Sequence, residues 1–209
     1  VMAGSLISVA QAAPALPART SAQLLAEVAG DTSVPPLTGT VVETASLGLP
    51  ALPSTGSSAS IASLLTGSHT VMVWYASPQH FRLSVPAPLS ETDVIRDGGT
   101  AWLWDSQANT VTKLSIPAHS AEPAPAAAPL TPQQAASKVL ATVGPTTTVR
   151  VDSNVMVADQ AAYELVLAPK DARSTVGEVR IAVDGSNGVP LRVQVLARGA
   201  TSPAFQVGY

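Results

Sequence analysis

A chain of 209 residues, 46% apolar and only 12% charged, can bury a substantial core, and a formal net charge of −3 offers no basic footprint to a nucleic-acid backbone or an anionic membrane surface. The absence of cysteine removes disulfides, thiolate metal sites, cysteine nucleophiles and the lipid-modified cysteine of a bacterial lipoprotein. No second composition regime breaks the chain, so one domain over residues 20–209 is expected.

Residues 1–19 open on VMAGSLISVAQAAPALP, a short apolar segment followed by small residues at Ala10 and Ala12 around Gln11. This pattern fits the downstream part of a secretory signal peptide, and a disordered Ala/Pro tail is the alternative reading. Thr20 and Gln23 then form a capping box ahead of Leu24, Leu25 and Val28, which share one helical stripe. After Pro35-Pro36, Leu37 to Ala45 reads as a first strand. Residues 46–67 shift to Gly, Ser, Pro and Ala, with a helical turn expected at Ile61 to Leu65. That excursion is either a permissive surface insertion or a flap over a pocket.

His69 to Tyr75 and His80 to Val85 alternate as a hairpin around Ser77-Pro78-Gln79. Thr92 to Ile116 follows as three short strands, with Asp97-Gly98-Gly99 and Ser106 to Asn109 supplying the turns. Trp102 and Trp104 stand two residues apart and therefore share a face, which is expected to be the covered one. Residues 117–129 are a Pro/Ala-rich loop. Thr131, Pro132 and Gln134 begin a second helix carrying Ala135, Val139 and Leu140, which stops near Gly144-Pro145. Five strands are expected beyond it: 147–151, 160–167, 176–183, 191–197 and 204–209. Val179, Ile181 and Val183 oppose Arg180 and Asp184, and Leu191, Val193 and Val195 oppose Arg192 and Gln194, so each of these two strands has one dry face.

No segment after the first residues approaches the roughly 20 uninterrupted apolar residues of a membrane span. Enzymatic chemistry has little to stand on. His69, His80 and His119 lack metal-ligand spacing, no serine sits in GxSxG, and no glycine loop is shaped for phosphate. No catalytic residue, metal or cofactor is expected.

The order of a helix, a strand, a long excursion, an antiparallel meander and a Thr-Pro helix, followed by AYELVLAPKD, VRIAVDGSNGVPLRVQV and FQVGY, resembles the LolA-like superfamily. That superfamily includes lipoprotein carriers and the RseB/MucB regulators of envelope-stress sigma factors. Among its members the chain looks most like the exported LolA-like proteins of actinobacteria, in keeping with a composition that suggests a GC-rich genome. The resemblance implies an α+β, mainly β fold: an incomplete, strongly curved antiparallel β-barrel covered by two or three helices. It also implies an apolar cavity that receives the acyl chains of a lipid or lipoprotein in the periplasm or extracytoplasmic envelope, with a membrane exporter or an anti-sigma factor as further partner. No functional residue of the family is carried over. The aromatic residues Trp102, Trp104, Trp74 and Tyr75, with Leu64, Leu65, Leu24 and Val139 on the helical side, are the candidates for lining such a cavity. Ordinary core packing is the alternative for each.

Overall fold

The computed structural model describes residues 15–30, 35–46, 66–116 and 131–209. The helical turn at Ile61 to Leu65, most of the 46–67 excursion, the 117–129 loop and most of the N-terminal tail lie outside the described residues.

Among the described residues two helices are formed, α1 (Ser21–Gly30) and α2 (Pro132–Leu140). Both start on the expected capping boxes. The Thr131 hydroxyl accepts from the Gln134 backbone N–H at 3.2 Å while Gln134 Oε1 accepts from the Thr131 N–H at 3.0 Å; Thr20 and Gln23 do the same at 3.2 and 2.8 Å. Each box satisfies two amide groups that the first helical turn leaves without an internal partner.

The described residues also form twelve strands: β1 (Leu37–Ser46), β2 (Thr66–Ser77), β3 (His80–Ala87), β4 (Ser90–Asp97), β5 (Thr100–Asp105), β6 (Thr110–Ser115), β7 (Thr147–Val151), β8 (Val155–Val157), β9 (Gln160–Pro169), β10 (Val176–Asp184), β11 (Pro190–Ala197) and β12 (Pro203–Gly208). The short β8 is not evident in the sequence, and β2 begins three residues before His69. All twelve strands lie in a single sheet in the order β6-β5-β4-β3-β2-β1-β12-β11-β10-β9-β7, with β8 also pairing β9. Every pairing is antiparallel. The chain runs out as one meander, returns as another, and the two are joined where β1 meets β12. The outermost strands β6 and β7 do not pair with each other, so the sheet stays open. The fold is mainly β, an incomplete curved barrel with helices, as the sequence leads one to expect.

The register fixes the two faces. On the inner face Leu165, Ile181, Val193 and Val207 line up across four strands, each fully buried, and Val41, Val71 and Val73 extend the layer onto β1 and β2. Leu24 and Val28 of α1 and Ala135 and Ala136 of α2 pack into this layer. Burying a leucine such as Leu24 removes enough apolar surface from water to contribute about 2 kcal/mol. The helices contact β11, β12, β7 and each other, which places them over the half of the sheet built from the C-terminal meander. The segment leading into α1 is fastened there as well. The Tyr163 hydroxyl donates to the Pro17 carbonyl at 2.6 Å, and Arg19 lies 5.3 Å over the Tyr163 ring while pairing with Glu27.

Candidate functional site

Strand alternation carries the inner face on through β3 to β6, beyond the strands that the two helices chiefly contact. Phe81, Leu83 and Val85 of β3 continue the layer; Val94 lies across from Leu83, Leu103 across from Val94, and Leu114 across from Ala101. Leu83, Val85 and Tyr75 still pack against the main core. Farther out the cover thins, with Leu103 39% and Leu114 51% exposed. Two charged side chains take positions on this stretch of inner face. Arg96, across from Phe81, donates from Nε to the Gly98 carbonyl at 3.2 Å, and Asp105 lies across from Thr92 and Thr110. The result is an apolar, concave-side surface bounded by a guanidinium at one end and a carboxylate at the other.

The structure divides the candidate lining residues between opposite faces. Leu24 is fully buried, Val139 packs against the same core, and Tyr75 faces inward beside them, where burial raises its phenol above the usual value. Trp74 follows the other parity of β2 and faces outward. Trp102 lies across from Ile95, which lies across from Arg82, which lies across from Trp74. Trp104 lies across from Asp93 in the adjacent outward row. The expectation that Trp102 and Trp104 face the covered side is therefore corrected. In TAWLWD both parities are apolar, and register against Val94 and Leu83 turns Ala101 and Leu103 inward and the two tryptophans outward. Trp74 and Tyr75 are consecutive residues on one strand and cannot line the same cavity. Leu64 and Leu65 lie outside the described residues. Leu83 follows from the alternation of Phe81, Leu83 and Val85, whereas the inward residues missed in the sequence, Leu103 and Leu114, are signalled only by the partner register.

The outer face is polar in a structured way. Asp93 is only 3% exposed and accepts from Arg82 at 2.6 Å. Arg82 also approaches Glu91 at 3.6 Å and lies 5.0 Å over the Trp74 ring, while the Ser84 hydroxyl donates to Glu91. Under the second meander, Glu164 is 4% exposed and accepts from Arg180 at 2.9 Å and from Arg192 at 3.0 Å. The flanking Glu178 carboxylate holds the Arg180 guanidinium well above its ordinary range. His69 and His80 do not approach one another: His69 lies across from Glu43 on the inner face, and His80 pairs with Asp97 at 3.2 Å on the outer face. Among the described residues no cluster of His, Asp and Glu could hold a metal ion. A cleft of about 550 Å³ opens between Pro35 to Thr40, the Asp184 to Val189 turn and Tyr209. It mixes polar and apolar groups and is separate from the β3–β6 surface.

No family model and no curated protein matches the chain. Solved structures do. The crystal structure of MucB superposes on 90% of this chain with a TM-score of 0.50 at 16% identity, and this chain covers 56% of that one, so it spans about half the length of the protein it matches. A conserved protein from Thermus thermophilus is similar over 90% of this chain and 83% of its own, at 12% identity and a TM-score of 0.41. The LolA superfamily protein NE2245 from Nitrosomonas europaea is similar over 86% of this chain and 73% of its own, at 16% identity and a TM-score of 0.31. With its open sheet, the helices of the described residues on one face and its likeness to MucB, the chain has a MucB-like fold.

Proposed function

We propose that this chain is an exported carrier that holds the acyl part of a lipid or lipoprotein against the inner face of β3–β6. The observation that carries this reading is that the apolar inner face continues past the strands the two helices chiefly cover, to Leu103 and Leu114, which remain substantially exposed. An acyl chain laid there gains about 0.8 kcal/mol for each methylene removed from water, so part of one chain is enough for useful affinity. Arg96 stands where an anionic head group could be met. Export is supported by the small-residue pattern at Ala10 and Ala12, and among the described residues no helix is long and apolar enough to cross a membrane. The test is native mass spectrometry of gently purified protein together with uptake of a fluorescent fatty acid. Leu103→Asp and Leu114→Asp, both at partly open positions, should lower uptake about tenfold while the protein stays folded, equivalent to about 1.4 kcal/mol. Absence of both co-purified lipid and uptake by the unaltered protein would sink the carrier reading.

A second reading is favoured by the likeness to MucB, which has been crystallised in complex with MucA(peri). In that reading the chain is a regulator that binds the extracytoplasmic part of an anti-sigma factor and senses envelope stress. Affinity capture from solubilised membranes should then retain a membrane-anchored partner, and repeated capture without one removes this reading.

A further inference from the structure

Leu37, Tyr75, Phe81, Arg96, Ala101 and Leu114 form one inward row across six strands, and Arg96 is its only charged member. Val94 and Leu103, the next inward residues along β4 and β5, are apolar too. Arg96 is half-buried on this ground, so its guanidinium has given up part of its water. A charge in that position calls for a partner of the opposite sign. Nε donates to the Gly98 carbonyl at 3.2 Å, but among the described residues no carboxylate pairs with the guanidinium. Asp97, next in the chain, turns to the outer face and pairs with His80. The outer-face arginines Arg82, Arg150, Arg180 and Arg192 each pair with a carboxylate, which sets Arg96 apart from them.

Asp105, at the far end of the same surface, is already employed. Its Oδ1 accepts from the Gln107 and Ala108 N–H groups at 2.9 and 3.0 Å, so the β5–β6 turn accounts for it. Ala101 lies across from Arg96, and Asp105 is four residues farther along β5, about 13 Å away. The two charges therefore stand at opposite ends of an apolar stretch. A negative head group is drawn to Arg96 and repelled by Asp105, which lays its tail over Val94 and Leu103. A neutral acyl ester laid there strips more water from the guanidinium and returns no charge to it. The guanidinium is also within reach from solvent: Tyr75, Phe81 and Arg96 line the inward side of a shallow groove of about 440 Å³ at this end of β2–β4. A carboxylate or phosphate oxygen accepts from the guanidinium N–H groups in the strong, charge-assisted geometry.

We infer, on the acyl reading above, that Arg96 selects the ligand: an acyl lipid with a free anionic head, bound with the head at Arg96 and the tail toward Leu103, in preference to a neutral, esterified chain. The probes are cis-parinaric acid and its methyl ester, whose emission rises as the polyene leaves water, in mildly alkaline buffer. The acid should bind about tenfold more tightly than the ester, and the preference should shrink in high salt. Arg96→Gln, which keeps much of the side-chain length, should weaken binding of the acid about tenfold and leave the ester unchanged. Arg96→Lys should retain part of the preference, and Asp105→Asn should not weaken binding of the acid. Competition separates the two head chemistries: stronger displacement by hexadecyl phosphate than by palmitic acid assigns a phosphate head, and the reverse order a carboxylate. Equal binding of acid and ester, or an acid preference that survives Arg96→Gln, overturns the role of Arg96 while leaving the carrier reading in place. Failure of acid and ester alike to bind removes the carrier reading and the selection by Arg96 with it.

Discussion

At the scale of single residues, the structure places two side chains in conformations or surroundings with measurable consequences. Leu89 sits at the tip of the β3–β4 hairpin with φ of 63° and is fully exposed. A leucine there crowds its Cβ against the following carbonyl oxygen and recovers nothing through burial. Leu89→Asn, a residue that tolerates the left-handed region, should stabilise the protein by about 1 kcal/mol, read as a rise of about 2–4 °C in Tm. A Tm that falls or does not move would show that the turn carries no such strain. Tyr209 is the second case: burial between the two core clusters raises its phenol above the ordinary value of 10.0. The folded chain then keeps the phenol protonated at a pH where the unfolded chain has begun to ionise it. This contribution is complete below pH 10.0 and is lost as pH rises through the higher folded-state value. Tyr209→Phe should flatten the fall of urea stability above that pH and leave the neutral range little changed. Equal alkaline slopes for the two proteins would contradict it.

Among elements, α2 shows what local chemistry can specify. Thr131, Pro132 and Gln134 announce a helix start in the sequence, and the structure forms both hydrogen bonds of the box. Thr131→Ala should cost about 1 kcal/mol, whereas Thr131→Ser should cost only a fraction of that. Equal stability of all three proteins in urea would show that packing of Ala135 and Ala136 alone holds the helix. Strands with one wet and one dry face were equally legible. In β10 and β11 the run of Ile181, Val183 and Val193 against Arg180, Arg192 and Gln194 marks the face that joins the main core, although Ala182, Asp184 and Leu191 are buried as well, Ala182 and Leu191 in a second, smaller cluster. The strand β2 was legible too, since Val71, Val73 and Tyr75 share one face, but β5 was not. Trp102 and Trp104 compete with Ala101 and Leu103, so alternation alone cannot orient β5. Only its pairing with β4, where Val94 faces inward, decides the matter. A larger side chain is not thereby an inward one. The burial of Asp93 was hidden for the same reason, since its partner Arg82 lies eleven residues away and comes into range only through the β3–β4 register.

For the whole molecule, the consequence of this register is a sheet whose two faces do different chemistry. The inner face runs apolar from the helix-covered half at β7–β12 to the thinly covered residues Leu103 and Leu114, and the outer face holds the tryptophans among paired charges. A single sheet separates them, so a ligand on one side meets the indoles of the other only through the backbone layer. Tryptophan emission depends on the immediate polarity around the ring, and an acyl chain on the inner face replaces water around Leu103, Leu114 and Val94 while leaving the surroundings of Trp74, Trp102 and Trp104 intact. Titration with a saturating fatty acid should therefore shift tryptophan emission very little, even as a fluorescent fatty acid reports uptake. Tyr75, on the inner face, should instead become less accessible to nitration. A large blue shift of the tryptophan signal on acyl binding would mean that the chain binds on the outer face, or that binding reorganises the sheet, and either result would overturn the division of labour between the two faces.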